Sequence, residues 1–247
     1  VESGRVLVRG DLDSWPFHDN AGRFEGRGHI VDTTFEYNPE WPRAEKLDAI
    51  ASFVNDSMQV DVDTAEVLGN RATNATASIA NLGEPVLDLA VKGDGTGASL
   101  LAFLRATPIG KRYAEPLKDL VVDGKANVAF KLTLPIKQVE ALTLEGSGEL
   151  QASKLEQLRY DQHFSDASGK LRFSQGGFAA DALDVTYRGR RAKLSVGIGA
   201  FASDPAHVFE AKLAGTYPAD VVFADVPVLA PVVAHMKGES AWTANVS

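Results

Sequence analysis

Apolar and polar residues alternate along most of this chain, and this period of two is the feature that most restricts its fold. In the stretch NVAFKLTLP, Phe130, Leu132 and Leu134 fall on one side of an extended strand, whereas Lys131 and Thr133 fall on the other. The same alternation is found at Leu87, Leu89 and Val91, at Leu183, Val185 and Tyr187, at Leu194, Val196 and Ile198, and at Phe209, Ala211 and Leu213. Turn-forming stretches such as VNDS, SQGG and YRGRR separate these segments. The pattern predicts a mainly β protein built as an antiparallel meander.

Two stretches depart from this period. Residues 98–106 carry apolar side chains at near-helical spacing and are followed by the Thr107-Pro108 pair. Residues 219–236 repeat that spacing less regularly and are interrupted by Pro227 and Pro231. The sequence predicts one short amphipathic helix in each stretch.

The order of strands and helices suggests an internal repeat. An offset of 120 residues pairs Phe53 with Phe173, Met58 with Phe178 and Gly69 with Gly189. Repeats of this kind stack edge to edge and share one apolar face. We therefore expect residues 1–45 to complete a preceding repeat, residues 46–150 to form one repeat with its helix near 98–106, and residues 151–247 to form a second with its helix near 219–236.

The composition excludes several classes of protein. The net charge of −8 disfavours a nucleic-acid partner, because phosphate neutralisation needs clustered Lys and Arg. The absence of cysteine removes disulfides and thiolate chemistry. No apolar run approaches the roughly 20 residues of a spanning helix, and the N-terminus has no signal-peptide pattern. Because the chain begins in a predicted strand, we expect it to be a segment of a longer protein.

Few residues are arranged for chemistry. The glycine-rich GDGTG stretch, residues 93–97, lacks the Lys-Ser/Thr of a phosphate-binding loop and is interpreted as a turn. Asp61 and Asp63 share a strand face without a third oxygen ligand, which favours a solvated face over a metal site. The five histidines have no metal-binding spacing, and no serine lies in a G-x-S-x-G motif. The sequence predicts no catalytic residue, metal or cofactor.

The apolar strand faces can be interpreted in two ways. Such faces ordinarily form a closed core. With only two short helices to cover the sheet, part of the face would instead stay open, as a binding groove for acyl chains requires. Hydrophobicity alone leaves both interpretations open.

A family resemblance bears on this choice. The stretches RGDLDSWPF, GRFEGRGHIVDTTFEYNPEWP, FVNDSMQVDVDTAEVLG, LLAFLRATPIG and VDGKANVAFKLTLPI resemble, in this order, the central region of YhdP-type proteins of the AsmA-like superfamily. The resemblance is dense over about residues 4–150 and more diffuse over 151–247. Members are long, inner-membrane-anchored proteins of the Gram-negative envelope.

The resemblance implies a periplasmic repeating β-groove, which is an elongated, curved antiparallel sheet with one short helix per repeat. Such a groove carries phospholipids between the inner and outer membranes without catalysis. The implied partners are phospholipid, neighbouring segments of the same longer chain and possible envelope proteins. Acyl chains would lie along the inward-facing residues Leu87, Leu89, Val91, Phe130, Leu132 and Leu134.

The Trp41-Pro42 corner is interpreted as architectural. Pro42 cannot donate to a strand ladder and suits a bend, while Trp41 can bury a large apolar surface beneath the crossover. Two alternatives to lipid transport remain: a structural or assembly module of the envelope whose apolar face is closed core, and an envelope hydrolase using His18, His29 or His163. The sequence shows no activated nucleophile for the hydrolase.

Overall fold

The strands follow one another in the sheet in the same order as in the chain. The computed structural model describes residues 1–15, 17, 21–36, 40–107, 110–111, 114–204 and 209–247. Within these described residues, thirteen strands are ordered from β1 to β13, so β1 and β13 are the two edges and the sheet is not closed. The strands are β1 Ser3–Arg9, β2 Arg23–Phe35, β3 Ala44–Val54, β4 Ser57–Val67, β5 Asn70–Ile79, β6 Val86–Thr96, β7 Leu120–Pro135, β8 Thr143–Gln157, β9 Gln162–Ser174, β10 Gly177–Tyr187, β11 Arg190–Gly199, β12 Phe209–Pro218 and β13 Glu239–Val246. The predicted mainly β, antiparallel fold is confirmed.

Helices are short and few among the described residues. They are α1 Gly97–Ala106, α2 Ala114–Lys118, α3 Ala219–Val222 and α4 Ala230–Val233, with 3₁₀ turns at Leu12–Ser14, Val139–Ala141, Leu158–Tyr160 and Pro227–Leu229. Helix α1 lies where the sequence predicts one. Over residues 219–236 the structure has α3, a 3₁₀ turn and α4 in place of one helix, because Pro227 and Pro231 lack the amide protons that a continuous helix needs.

The chain forms two compact units. Unit 1 comprises Val1–Arg112 and Asn127–Gly148, and unit 2 comprises Tyr113–Ala126 and Glu149–Ser247. Unit 1 contains the meander β3 to β6 followed by α1, and unit 2 contains the meander β9 to β12 followed by α3. The division into repeats at 46–150 and 151–247 stays a prediction.

Residues 120 positions apart occupy equivalent places in the two meanders. Phe53 pairs with Met58 across the β3–β4 hairpin, and Phe173 pairs with Phe178 across the β9–β10 hairpin. The next turn has left-handed φ angles of 49° and 77° at Leu68 and Gly69, and of 48° and 76° at Arg188 and Gly189. Two successive positive φ angles are typical of a type I′ hairpin turn, which matches the twist of the strands.

The strand irregularities are repeated as well. Asp32 and Lys46 in unit 1 have positive φ angles, as do Ala152 and Asp166 at the same offset in unit 2. The Asp32 amide donates to the Asp48 carboxylate at 2.9 Å, and the Ala152 amide donates to the Ser168 hydroxyl at 3.0 Å. Each side chain thus accepts a bond from an amide that the irregularity takes out of the regular ladder.

Candidate functional site

Unit 1 carries a continuous apolar face, defined by three rows of residues that run across its strands. Strand pairing aligns the members of each row as direct neighbours from β2 to β6. The first row is Gly26, Phe53, Met58, Ile79 and Leu87, the second is Gly28, Ala51, Val60, Ala77 and Leu89, and the third is Ile30, Ala49, Val62, Ala75 and Val91. Every one of these residues is apolar or glycine.

Strand β7 extends the three rows. The Ile136 amide donates to the Pro85 carbonyl at 3.0 Å, and the Thr133 hydroxyl donates to the Asp88 carboxylate at 2.6 Å. Both bonds fit one antiparallel register, since each step forward on β7 matches one step back on β6. That register places Leu134 beside Leu87, Leu132 beside Leu89 and Phe130 beside Val91.

All six residues predicted to contact acyl chains therefore share one face. Leu132 is buried, with 6% of its surface exposed, whereas Leu87, Leu89, Val91, Phe130 and Leu134 are half-buried. A half-buried aliphatic or aromatic side chain still has apolar surface to offer a ligand. Sequence reasoning missed most of the rows, including Met58 and Ile79, because their alignment depends on pairing between strands.

The opposite face of unit 1 is polar. Thr133 and Asp88 bond to each other there, and the Gln59 side-chain amide donates to Asp61 at 2.9 Å. A cleft of about 350 Å³ on this unit is lined mainly by polar and charged residues, among them Asp32, Lys46 and Glu66. The separation of apolar and polar faces means that only one side of this sheet suits an alkyl chain.

Helix α1 is fastened to the β4–β5 turn. The Thr96 hydroxyl accepts from the Ser99 amide at 3.1 Å, and the Ser99 hydroxyl accepts from the Thr96 amide at 2.9 Å. The Asn70 side chain donates to the Ser99 carbonyl at 2.9 Å. These reciprocal capping bonds and the Asn70 anchor hold the helix at one end of the meander.

The GDGTG stretch is not a separate turn, because β6 continues to Thr96 and α1 starts at Gly97. A β-carbon on Gly93 would lie 2.7 Å from the Arg71 carbonyl oxygen, and one on Gly95 would lie 2.4 Å from the Asn70 side-chain oxygen. These glycines therefore permit close approach of β5 and of the Asn70 anchor.

The predicted corner contacts this helix. The rings of Trp41 and Phe103 lie 6.4 Å apart at 58°, and both Trp41 and Pro42 are half-buried. Trp41 thus packs on α1, a contact that the sequence did not identify.

Unit 2 also has an apolar face. Its third and fourth rows, called its inner rows below, contain several buried side chains. Its rows are Phe173, Phe178, Ile198 and Phe209; Leu171, Ala180, Val196, Ala211 and Val246; Leu183, Leu194, Leu213 and Ala244; and Val185, Ala192, Gly215 and Trp242. Leu183 and Val185 are 2% and 3% exposed, whereas Phe173, Phe178 and Phe209 are half-buried. Buried and half-buried side chains are thus mixed on this face, since Ile198 in the first row is only 2% exposed.

An aromatic cluster stands at the end of this face. Tyr187 stacks on Phe164 at a ring distance of 5.1 Å and meets Tyr217 edge-on at 6.2 Å. The Tyr187 hydroxyl donates to the Gln162 side chain at 2.9 Å. Arg188 lies over the Tyr187 ring, with its Cζ atom 5.3 Å from the ring centroid.

The remaining chemical candidates have structural partners or lie outside the described residues. His29 faces Glu2 at 3.0 Å, and His163 lies 2.9 Å from Asp161, while His18 lies outside the described part of the chain. Hydrogen bonding to Asp161 raises the pKa of His163. Within the described residues, no group of three or more His, Asp or Glu side chains could hold a metal ion.

Comparison with known proteins identifies the family. A family model described as YhdP protein matches residues 1–247, which confirms the predicted resemblance. The intermembrane phospholipid transporter YhdP of Escherichia coli (strain K12) is 25% identical over 187 residues, which cover 76% of this chain and 15% of that relative. The chain therefore corresponds to a small part of the relative's length. No solved structure matches the chain. In the described part, no helix has both the length and the apolar character needed to cross a bilayer.

Proposed function

The chain belongs to the YhdP protein family, and from this premise we propose that it is a non-enzymatic segment of a lipid-transport bridge in the cell envelope. In this proposal phospholipid acyl chains lie along the apolar face of the sheet, between the inner and outer membranes. The E. coli relative is named as an intermembrane phospholipid transporter, which supports lipid as the cargo.

The observation that carries the proposal is the continuity of the apolar rows in unit 1. Each row passes from strand to strand without a charged or polar member from β2 to β7. Burial of a methylene group contributes about 0.8 kcal/mol, so an acyl chain on this face is held strongly relative to water. Since each row repeats at every strand, the binding energy changes little as the lipid moves across the strands, and its headgroup stays toward solvent.

Location and partners follow from the same proposal. We propose that the segment lies in the periplasm as part of an inner-membrane-anchored protein. The edge strand β1 is exposed along its whole length, and most of β13 is exposed as well. Unpaired strand edges add further strands readily, so neighbouring segments of the same longer chain are the proposed edge partners.

A charge on the apolar face tests the proposal. Phe130→Asp is preferable to a change at Leu132, because Phe130 is only half-buried and its replacement threatens the fold less. Asn127→Asp is the matched control, since it makes the same charge change at an exposed position of β7. The measurement is native mass spectrometry of the purified 247-residue chain, with lipid extraction from the same sample.

We expect phospholipid bound to the wild type and to Asn127→Asp, and strongly reduced in Phe130→Asp. Thermal unfolding of all three proteins establishes that the fold is intact. Lipid retention by a folded Phe130→Asp protein equal to that of the control would contradict the proposal.

The burial of the inner rows in unit 2 favours a second candidate, a structural or assembly module. Leu183, Val185 and Leu194 are all less than a tenth exposed, as in an ordinary closed core. In this alternative the edge strands pair with neighbouring segments or with an envelope protein, and no lipid is carried. Purified chain that contains no lipid, that takes up none from phospholipid vesicles and that unfolds cooperatively would favour it.

A further inference from the structure

The hydroxyl of Tyr217 is a buried polar group without a partner among the described residues. Tyr217 is 4% exposed, and its oxygen has no hydrogen bond. Buried polar groups are nearly always paired, so an exception requires a physical reason. Burial raises the pKa of Tyr217, so the hydroxyl stays protonated at neutral pH and is available as a donor.

The position of this side chain is closely defined. A β-carbon on Gly215 would lie 2.6 Å from Cε2 of Tyr217, so the ring lies over Gly215 on the apolar face. The Trp242 indole nitrogen donates to the Tyr217 carbonyl at 3.0 Å. Glycine at 215 thus provides the space that the tyrosine ring fills.

A guanidinium group belongs to the same cluster. Arg188 and Tyr217 both contact the Tyr187 ring, at 5.3 Å and 6.2 Å from its centroid. Arg188 donates to the Val221 carbonyl of α3 at 2.7 Å and pairs with the Asp225 carboxylate. The Asp225 side chain is 77% exposed, so this carboxylate can leave the guanidinium for water at little cost.

We propose that Arg188 and the Tyr217 hydroxyl form a site for the phosphate group of an anionic phospholipid, and that Asp225 occupies the place of the anion when no lipid is bound. This inference rests on the proposed function, because the apolar face of unit 2 would hold the acyl chains. A guanidinium and a hydroxyl donor match the acceptor oxygens of a phosphate.

Access to the hydroxyl depends on α3. This helix has four residues and no side-chain cap, and its Val221 carbonyl accepts the bond from Arg188. When Arg188 turns from Val221 and Asp225 toward a phosphate, it releases the segment that follows β12. The unpaired hydroxyl disfavours the closed arrangement, and a phosphate oxygen would remove that penalty.

The test compares two lipids with identical acyl chains, phosphatidylglycerol and diacylglycerol, which differ in the phosphate headgroup. The 247-residue chain is incubated with vesicles that contain equal amounts of both lipids, and the ratio of the two lipids retained by the protein is measured by native mass spectrometry. Asp225→Asn frees the guanidinium, and Tyr217→Phe removes only the hydroxyl. Asp184→Asn is the matched control, because Asp184 forms a similar exposed ion pair with Lys193 in the same unit, at 2.6 Å.

We expect Asp225→Asn to raise the ratio of phosphatidylglycerol to diacylglycerol severalfold and Asp184→Asn to leave it unchanged. Tyr217→Phe should lower that ratio roughly tenfold, as loss of a hydrogen bond to a charged group does. Its thermal midpoint should stay the same or rise, since an unpaired buried hydroxyl is lost. A purely structural hydroxyl would lower the midpoint on removal and leave the lipid ratio unchanged.

Several results would overturn the inference. Equal retention of both lipids by the wild type and by all variants would contradict the phosphate site but would leave the proposed function standing. Retention of neither lipid by the wild type removes both. A rise in the wild-type thermal midpoint with inorganic phosphate alone, lost in Tyr217→Phe, together with no lipid preference, assigns the site to free phosphate and overturns the lipid as its source.

Discussion

The meander β3 to β6 of unit 1 and the meander β9 to β12 of unit 2 use the same turns but bury their apolar faces to different extents. Both have a bulky first row, with Phe53 and Met58 in unit 1 and Phe173 and Phe178 in unit 2. Beyond it, unit 1 keeps half-buried residues such as Leu89, whereas unit 2 encloses Leu183 almost completely. Unit 1 also has buried residues on this face, such as Ala49 and Ile79, so equivalent turns accompany a difference in the degree of burial that depends on the side chains.

The helices that follow the two meanders also differ, in how they are attached to the sheet. In unit 1, α1 is capped and anchored through Asn70, a neutral side chain with short hydrogen bonds to Ser99. In unit 2, the shorter α3 is held through Arg188, whose partner Asp225 is mostly exposed. The comparison indicates that α1 is attached more firmly to unit 1 than α3 is to unit 2.

The largest effect on stability is expected for a substitution in the buried inner rows of unit 2. Leu183→Ala should lower the free energy of unfolding by about 3 kcal/mol, because a fully buried leucine leaves a cavity. Leu89→Ala should cost about 1 kcal/mol, since that side chain is already partly solvated. Chemical denaturation of both variants measures the difference. Equal losses would show that the two faces are equally closed.

Substitution of two glycines within strands should give the next largest loss of stability. Gly93→Ala and Gly215→Ala should each lower stability by about 2 kcal/mol, because the new methyl group would meet Arg71 backbone or the Tyr217 ring. In a protein that already carries Tyr217→Ala, Gly215→Ala should cost much less than in the wild type, because the clash between methyl group and ring is gone. No side-chain change at 71 should rescue Gly93→Ala, since the obstacle there is a carbonyl oxygen. Thermal melts of the double variants distinguish the two cases.

Glycine-to-alanine changes in the two type I′ turns should lower stability by equal amounts. Gly69→Ala and Gly189→Ala should each cost about 1 kcal/mol, because both glycines have left-handed φ angles. A β-carbon on Gly69 would lie 3.6 Å from Cβ of Ser99, an ordinary contact, and one on Gly189 would have no neighbour within 4 Å. Urea titration of both variants checks this equality, and a clear inequality would break the structural equivalence of the two turns.

The smallest effect on stability is expected from the protonation of His163 and depends on pH. Bonding to Asp161, with a further contribution from Glu156, raises the pKa of His163, whose side chain is 55% exposed. The folded state is therefore stabilised below the ordinary histidine pKa, and this contribution is lost as the pH rises through the raised value. The residue 120 positions earlier is Arg43, which stays charged. His163→Arg should abolish this slight pH dependence in thermal melts at pH 5 to pH 8, whereas Arg43→Lys should leave it in place.

Much of the strand layout could be predicted from the sequence because alternation is a local property. Leu87, Leu89 and Val91 lie on one face for the same reason that their spacing predicts it, and the 120-residue offset predicts equivalent hairpins at Phe53 and Phe173. Helix α1 follows from its local apolar spacing and from the Thr107-Pro108 pair after it.

The remaining features depend on contacts between distant residues. The order of β6 and β7 brings Leu89 beside Leu132, which no local pattern indicates. Tyr217 and Arg188 were not candidates, because one belongs to an alternating strand and the other to a turn, and only packing brings both onto Tyr187. The RGRR turn of residues 188–191 was a signal for a cation at this place, but it gave no information about its partner.

The identity of strand order and sequence order has a consequence for how such a chain is made and modified. Each strand finds its partner in the preceding one, so pairing can advance while the polypeptide is being synthesised, without waiting for distant segments. Insertion or loss of one hairpin preserves every other pairing and changes the sheet by two strand spacings, roughly 9.5 Å. Evolution can therefore lengthen or shorten such a sheet in regular steps.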